Sequence, residues 1–233
     1  EENIFEIITA DNAIESYMRF LDEYPDSPLT GRCYDFLYHR YKHTASAEAF
    51  LNRFGSRQIG DSLRRIARAD VGYVIPIFEM GQYGFMRDNG AKLIDFKYSD
   101  IGEKYLCGYV TSDFLEVWNE ARHLLISRMG DVIMEGGFED VADIGSGLLK
   151  IEHAGFYGLL HKSGRRLMEF KYQDLGLVGH AFIKYQFNGK WGLRSLSGRE
   201  LLPAAYDNIF AEGDFIVIEC DGMYDIQNAA NLS

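Results

Sequence analysis

The chain has 233 residues, with 35 Asp or Glu against 24 Lys or Arg, so its formal net charge is −11 at pH 7. A surface this acidic repels a phosphate backbone, which argues against nucleic-acid binding as the main function. Hydrophobic residues make up 47% of the chain, as in ordinary globular proteins. Since no apolar run approaches the roughly 20 residues that a transmembrane helix needs, no membrane-spanning segment is expected.

The first seventy residues have apolar side chains at helical spacing. The run Ile14, Tyr17, Met18 and Leu21 predicts an amphipathic helix. The segment Y-M-R-F-L-D-E-Y-P (17–25) recurs thirty residues later as A-E-A-F-L-N-R-F-G (47–55), with its aromatic and leucine positions matched. We therefore expect antiparallel helical hairpins over residues 1–70 and place a domain boundary near Asp70.

The rest of the chain repeats a ten-residue pattern. Its copies are G-Q-Y-G-F-M-R-D-N-G (81–90), G-F-Y-G-L-L-H-K-S-G (155–164), G-K-W-G-L-R-S-L-S-G (189–198) and the degenerate A-R-H-L-L-I-S-R-M-G (121–130). Their last glycines, Gly90, Gly130, Gly164 and Gly198, are separated by 40, 34 and 34 residues. A second set of residues has the same separations of 40, 34 and 34: the aromatic residues Tyr98, Phe138, Tyr172 and Tyr206. The glycines and the aromatic residues therefore agree on a repeat period of about 34.

Each repeat predicts a β-meander of three short strands joined by glycine turns. The predicted units lie near 72–102, 103–145, 146–179 and 180–212, with a partial unit at 213–233. The longer first step places an insertion at 103–112. The fold class is therefore α+β, with helical hairpins over 1–70 and an antiparallel β-meander array over 71–233. The pattern leaves open whether that array is an open solenoid or a curved sheet.

The segment K-W-G-L-R-S-L-S-G-R-E-L-L-P-A-A-Y-D-N-I (190–209) resembles the WG (KWG) repeat family of bacterial proteins, and the resemblance spans residues 72–233. The helical part resembles tetratricopeptide-like hairpins. The WG resemblance implies a repeat scaffold, of a kind common on exported or surface-linked proteins. It implies no general enzymatic activity that could be assigned to particular residues. An exported or cell-envelope location is therefore the expectation.

The aromatic residue of each hairpin is the first candidate for binding. These residues are Tyr83, Tyr157, Trp191 and Tyr224. They are predicted to form an exposed stripe for glycans or peptides, or else to belong to the repeat core and pair across strands.

Three acidic residues occupy one equivalent position and are the candidates for a cation such as calcium. They are Asp100, Asp140 and Asp174, with Asn208 at the fourth position. The favoured alternative is that these side chains cap turns by accepting backbone N–H bonds. His39 and His43 are four residues apart on a predicted helix, where we expect a solvated face. No metal or cofactor is predicted, and Cys33, Cys107 and Cys220 have no spacing typical of a zinc site or a disulfide framework.

The sequence thus favours a non-catalytic repeat scaffold that binds a protein or a glycan. One alternative is an enzyme-like module at the insertion 103–112, using Asp100, Glu103 and Asp113. Another is a structural fragment of a longer repeat protein.

Overall fold

The computed structural model describes residues 2–57, 59–179 and 181–232, and within them helices precede strands, as the α+β prediction requires. The helices are α1 (Glu2–Ile8), α2 (Ile14–Glu23), α3 (Thr30–Thr44), α4 (Ala47–Phe54) and α5 (Asp61–Ala69). Within this described part of the chain, no helix is long and apolar enough to cross a membrane.

The helices pack through their apolar faces. On α2, Tyr17, Phe20 and Leu21 are buried, as the helical spacing predicts. The Phe5 ring of α1 meets the Phe20 ring edge to face at a centroid distance of 5.0 Å. At the start of α4, the Ser46 side chain accepts the N–H of Ala49 at 3.0 Å, which satisfies one free donor of the first turn.

Five antiparallel sheets follow in chain order. Sheet 1 contains β1 (Val74–Glu79), β2 (Gln82–Arg87) and β3 (Lys92–Tyr98). Sheet 2 contains β4 (Asp100–Ile101), β5 (Phe114–Asn119), β6 (Arg122–Ser127) and β7 (Val132–Glu135). Sheet 3 contains β8 (Asp140–Gly145), β9 (Leu148–His153), β10 (Phe156–His161) and β11 (Arg166–Tyr172). Sheet 4 contains β12 (Asp174–Val178), β13 (Phe182–Phe187), β14 (Lys190–Ser195) and β15 (Glu200–Tyr206), and sheet 5 contains β16 (Asn208–Glu212), β17 (Phe215–Cys220) and β18 (Met223–Asn228).

The prediction of three strands per unit is wrong for sheets 2 to 4, which have four. The extra strand arises because the chain crosses to the next sheet directly after the repeat's aromatic residue. Gln173 links sheets 3 and 4: its N–H bonds to the carbonyl of Gln186 at 2.9 Å, and its side chain accepts the N–H of Gly189 at 2.7 Å. Asp207 links sheets 4 and 5 in the same way, through the Glu219 carbonyl and the Asp221 N–H. Each of sheets 2 to 5 therefore begins with a strand that the sequence pattern assigns to the preceding unit.

The recurring turn glycines have the conformation that their position predicts. The φ angles are 81° at Gly90, 83° at Gly130, 85° at Gly164 and 99° at Gly198. A side chain strains this left-handed region of the backbone, so the nearly constant spacing of these glycines reflects turn geometry.

The chain forms two compact units. One comprises Glu1–His43, Phe138–His161 and Arg166–Ser233, and the other Thr44–Gly137 and Lys162–Arg165. Secondary structure changes from helix to strand between Ala69 and Val74. The division into domains at residue 70 stays a prediction.

A buried arginine organises the second of these units. Arg128 is 1% exposed, and its guanidinium donates to four main-chain carbonyls. These belong to Ala69 at 3.4 Å, Gly72 at 3.0 Å, Val110 at 3.2 Å and Ser112 at 2.7 Å. Arg128 thus ties the end of α5 to the loops beside sheets 1 and 2.

Candidate binding surface

The four predicted aromatic residues lie on equivalent strands of four separate sheets: Tyr83 on β2, Tyr157 on β10, Trp191 on β14 and Tyr224 on β18. The first three are half-buried, whereas Tyr224 is 61% exposed. The Lys150 ammonium lies 4.1 Å from the centroid of the Tyr157 ring, and that of Lys184 lies 4.5 Å from the Trp191 ring. Since lysines cover these two rings, Tyr224 offers a more open aromatic surface.

Two of the predicted acidic residues act as local caps. Asp100, Asp140 and Asp174 each begin the first strand of a sheet. The side chain of Asp100 accepts the N–H of Ile101 at 2.9 Å, and that of Asp174 accepts the N–H of Leu175 at 2.8 Å. Asn208 makes the same bond to Ile209 at 2.9 Å, as the capping alternative predicts.

A separate cluster in sheets 4 and 5 joins two carboxylates and a thiol. Ligand atoms of Asp207, Cys220 and Asp221 lie within 4.8 Å of one another. One carboxylate oxygen of Asp207 binds the Lys190 ammonium at 2.5 Å, and the other accepts the Asp221 N–H at 2.7 Å. The Lys190 hydrogen bond is the main cause that holds the pKa of Asp207 below its usual value. Both oxygens of Asp207 thus already accept hydrogen bonds, and a cation at this cluster would be repelled by the Lys190 ammonium.

The prediction that His39 lies on a solvated face is wrong. His39 is 8% exposed, and its ring lies 4.9 Å from that of His161, nearly perpendicular to it. A Cβ atom at Gly147 would collide with both rings, so glycine there permits their close approach. The sequence signal was His161 itself, because the other repeats carry arginine or serine at this position.

The insertion 103–112 is partly core and partly surface. Tyr105 is buried, and Val110 forms an isolated β-bridge with Val74. Tyr109 is 68% exposed and its ring lies 5.0 Å from that of Tyr73. Asp113, a candidate acid of the enzyme alternative, forms an ion pair with Lys162 at 2.8 Å, with both side chains mostly buried. That pairing suits a structural role for Asp113.

The strongest departure from the repeat pattern is β18, the last strand of sheet 5, which we call the open strand. In the described part of the chain it pairs with β17 alone. Three of its apolar side chains are exposed: Met223 (72%), Tyr224 (61%) and Ile226 (63%). The repeat position of Tyr224 predicted it as a binding residue, whereas no sequence pattern pointed to Met223 or Ile226.

A cavity of about 510 Å³ lies in the same compact unit, between α1 and sheets 4 and 5. Its lining includes Ile7, Phe182 and Ile216 together with the charged Asp11, Arg19 and Asp214. Because these residues are far apart in the sequence, no local sequence pattern predicts the cavity.

No family model matches the sequence, and no curated protein matches it. Among solved structures, Hsv2 of Kluyveromyces lactis is similar over 69% of this chain and 58% of its own, with 10% identity and a TM-score of 0.32. BamB from Moraxella catarrhalis is similar over 67% of this chain and 54% of its own, with 13% identity and a TM-score of 0.29.

PorZ of Porphyromonas gingivalis, described as an essential bacterial surface component of the type-IX secretion system, is similar over 69% of this chain and 26% of its own. The identity is 9% and the TM-score 0.29. The chain spans less than two thirds of the length of each of these proteins. Similarities with TM-scores of 0.29 to 0.32 do not establish a shared fold or function.

Proposed function

We propose that this chain is a non-catalytic β-repeat scaffold that binds a protein partner on sheet 5. The observation that carries the proposal is the exposure of Tyr224 and Ile226 on the open strand, where the repeat pattern places half-buried and buried residues. Exposed apolar residues grouped on one strand are typical of interaction sites, whereas single ones need no explanation. An exported or envelope location stays the prediction that follows from the WG-like resemblance.

A protein partner is favoured over a glycan. Sugar recognition by an aromatic stripe requires accessible ring faces, and lysine ammonium groups lie over Tyr157 and Trp191. The open strand instead combines aliphatic, aromatic and main-chain groups, which a polypeptide can satisfy together.

The test compares partner capture by the full chain and by two variants. The double variant Tyr224→Ser/Ile226→Ser removes the exposed face, and Met223→Ser is the matched control because it removes an equally exposed apolar group from the opposite face. We expect a saturable partner that, once purified, binds the double variant about tenfold or more weakly and the control almost unchanged. The proposal fails if no saturable partner is found, or if binding is the same for all three proteins.

A further inference from the structure

The residue equivalent to Ile226 is fully buried in each of the other sheets. There it faces an apolar residue on the strand that completes the sheet. The pairs are Phe85 with Ile94, Leu125 with Met134, Leu159 with Met168 and Leu193 with Leu202. The first member of every pair is 0% exposed, against 63% for Ile226. In sheet 5 the described part of the chain supplies no residue to cover Ile226, whereas its equivalent in each of the other four sheets is covered by the last strand.

An aromatic residue follows the apolar one after four residues in all four sheets. The spacings are Ile94 to Tyr98, Met134 to Phe138, Met168 to Tyr172 and Leu202 to Tyr206. In sheets 1, 3 and 4 this aromatic residue lies opposite Tyr83, Tyr157 or Trp191. Tyr224, at the equivalent position of sheet 5, is left exposed. In sheets 1, 3 and 4 the two side chains that face the buried apolar residue and the aromatic residue are thus four residues apart.

The backbone of the open strand is oriented to accept such a strand. Its hairpin turns at Asp221 and Gly222, so Cys220 and Met223 exchange hydrogen bonds across β17 and β18. By alternation, the N–H and C=O groups of Tyr224 and Ile226 point to the outer edge. Trp191 and Leu193 point to the outer edge of the equivalent strand in sheet 4, where both pair with β15.

The expected register follows sheet 2. In sheets 1, 3 and 4 a glycine stands between the aromatic and the buried apolar residue, and the pairing slips there. Sheet 5 has Asp225 at that position, as sheet 2 has Leu124, and Leu124 pairs directly with Glu135. A strand on sheet 5 is therefore expected to pair with Asp225 and Ile226 as β7 pairs with Leu124 and Leu125. Without the slip, the residue opposite Tyr224 comes two residues after the one opposite Ile226, as Gly136 comes two residues after Met134 and donates its N–H to the carbonyl of His123.

The negative charge of sheet 5 favours some added strands over others. Residues 208–228 contain five carboxylates and no Lys, Arg or His. The carboxylates are Glu212, Asp214, Glu219, Asp221 and Asp225. A second copy of this edge would bring like charges together, whereas a basic segment gains electrostatic attraction.

We propose that the open strand binds a basic, extended segment of a partner protein, in which an aliphatic or methionine side chain precedes Tyr or Phe by two residues. The inference rests on the proposed function and specifies its partner. Main-chain hydrogen bonds to the outer edge supply affinity, and the two side chains covering Ile226 and Tyr224 supply specificity.

The probe is a capped peptide, R-R-L-M-E-F-K-Y, copied from residues 165–172 of this chain. Met168 and Phe170 give it the required spacing, and its net charge is +2, from three basic residues and one acidic residue. Controls are a scrambled peptide and E-E-L-M-E-F-K-Y, which keeps the spacing but has a net charge of −2. Binding to the full chain is measured by fluorescence anisotropy, and the amides of Tyr224 and Ile226 are followed by hydrogen exchange.

We expect saturable binding of the basic peptide, slower exchange at both amides, and binding about tenfold or more weaker with Ile226→Ser than with Met223→Ser. A peptide N-methylated at the position of Met168 should lose binding because that N–H faces the open strand, whereas N-methylation at Glu169 should be tolerated.

Absence of binding, or binding indifferent to the Met168 methyl group, would overturn strand addition. If the captured partner still depended on Tyr224 and Ile226, the proposed function would stand and only the mode of binding would be wrong. A dimer of the chain that is lost in Ile226→Ser would refute the basic partner in favour of a second copy.

Discussion

The glycine that follows the aromatic residue in the repeat is explained by close packing, and Gly158 tests the explanation. Between the pairs Leu159–Met168 and Tyr157–Tyr172, β10 contributes one residue and β11 three, so the Phe170 ring lies over Gly158. A Cβ atom at Gly158 would lie 2.7 Å from Cε1 of Phe170 and closer still to Cδ1. Ordinary carbon contacts are about 3.5 to 4 Å, so the ring would have to move by about 1 Å.

The expected cost of Gly158→Ala combines two opposing effects. Overpacking costs about 1 to 3 kcal/mol, and replacing glycine within a strand returns about 0.5 to 1 kcal/mol of backbone entropy. With the middle of each range, about 2 and about 0.75 kcal/mol, the net loss is about 1.25 kcal/mol, which corresponds to a melting temperature about 2 to 5 °C lower in a chain of this size. The three atoms nearest to the added Cβ all belong to Phe170, so Phe170→Ala should remove the clash.

The assay is a double-mutant cycle in urea, followed by circular dichroism. We expect Gly158→Ala to destabilise the wild-type background and to be neutral or stabilising in the Phe170→Ala background. Gly176→Ala is the matched control, because its nearest neighbour, Cε of Lys184, would lie 3.9 Å from the added atom. An equal cost of Gly158→Ala in both backgrounds would refute the packing explanation.

Three further predictions concern buried groups. Arg128→Met leaves four carbonyls without their donor and should lower the free energy of unfolding by about 3 kcal/mol or more, measured in urea, while the exposed Arg122→Met changes it by less than about 1 kcal/mol. Burial raises the pKa of the Cys33 thiol to about 12, so iodoacetamide at mildly alkaline pH should modify the exposed Cys107 and spare Cys33, as mass spectrometry would show; comparable rates would contradict this burial. Burial also raises the pKa of Tyr105 from 10.0 to about 12, so the native state holds this proton longer than the unfolded chain; the free energy of unfolding should fall as the pH rises through that interval, and less steeply in Tyr105→Phe.

The repeat and its turns could be predicted from the sequence because their determinants are local. A left-handed turn residue such as Gly164 or Gly198 is dictated by the backbone of its own hairpin. The sheet boundaries could not be predicted, because they depend on bonds between a linking residue and the next hairpin. Gln173 and Asp207 make those bonds with different side chains, so no single residue type marks the crossing.

The candidate surface was predictable only in part, for a related reason. Periodicity identifies positions that are equivalent in sequence, and it located Tyr224 by equivalence to Trp191. Ile226 is likewise equivalent to the buried Leu193, yet it is exposed, because burial at this position depends on a neighbouring strand that sheet 5 does not contain in the described part of the chain. His39 shows the opposite error, since its burial depends on His161, more than a hundred residues away.

The acidity of sheet 5 and the exposure of its open strand have one physical consequence. An exposed strand edge is a template for uncontrolled pairing, and proteins commonly protect such edges with charge. The carboxylates Glu219, Asp221 and Asp225 repel a second copy of the same edge and the many acidic segments of other proteins. On the proposal that a basic strand adds to this edge, the groups that keep the edge from self-association would also select its partner. Aggregation resistance and partner selection would then be the same property of β17 and β18.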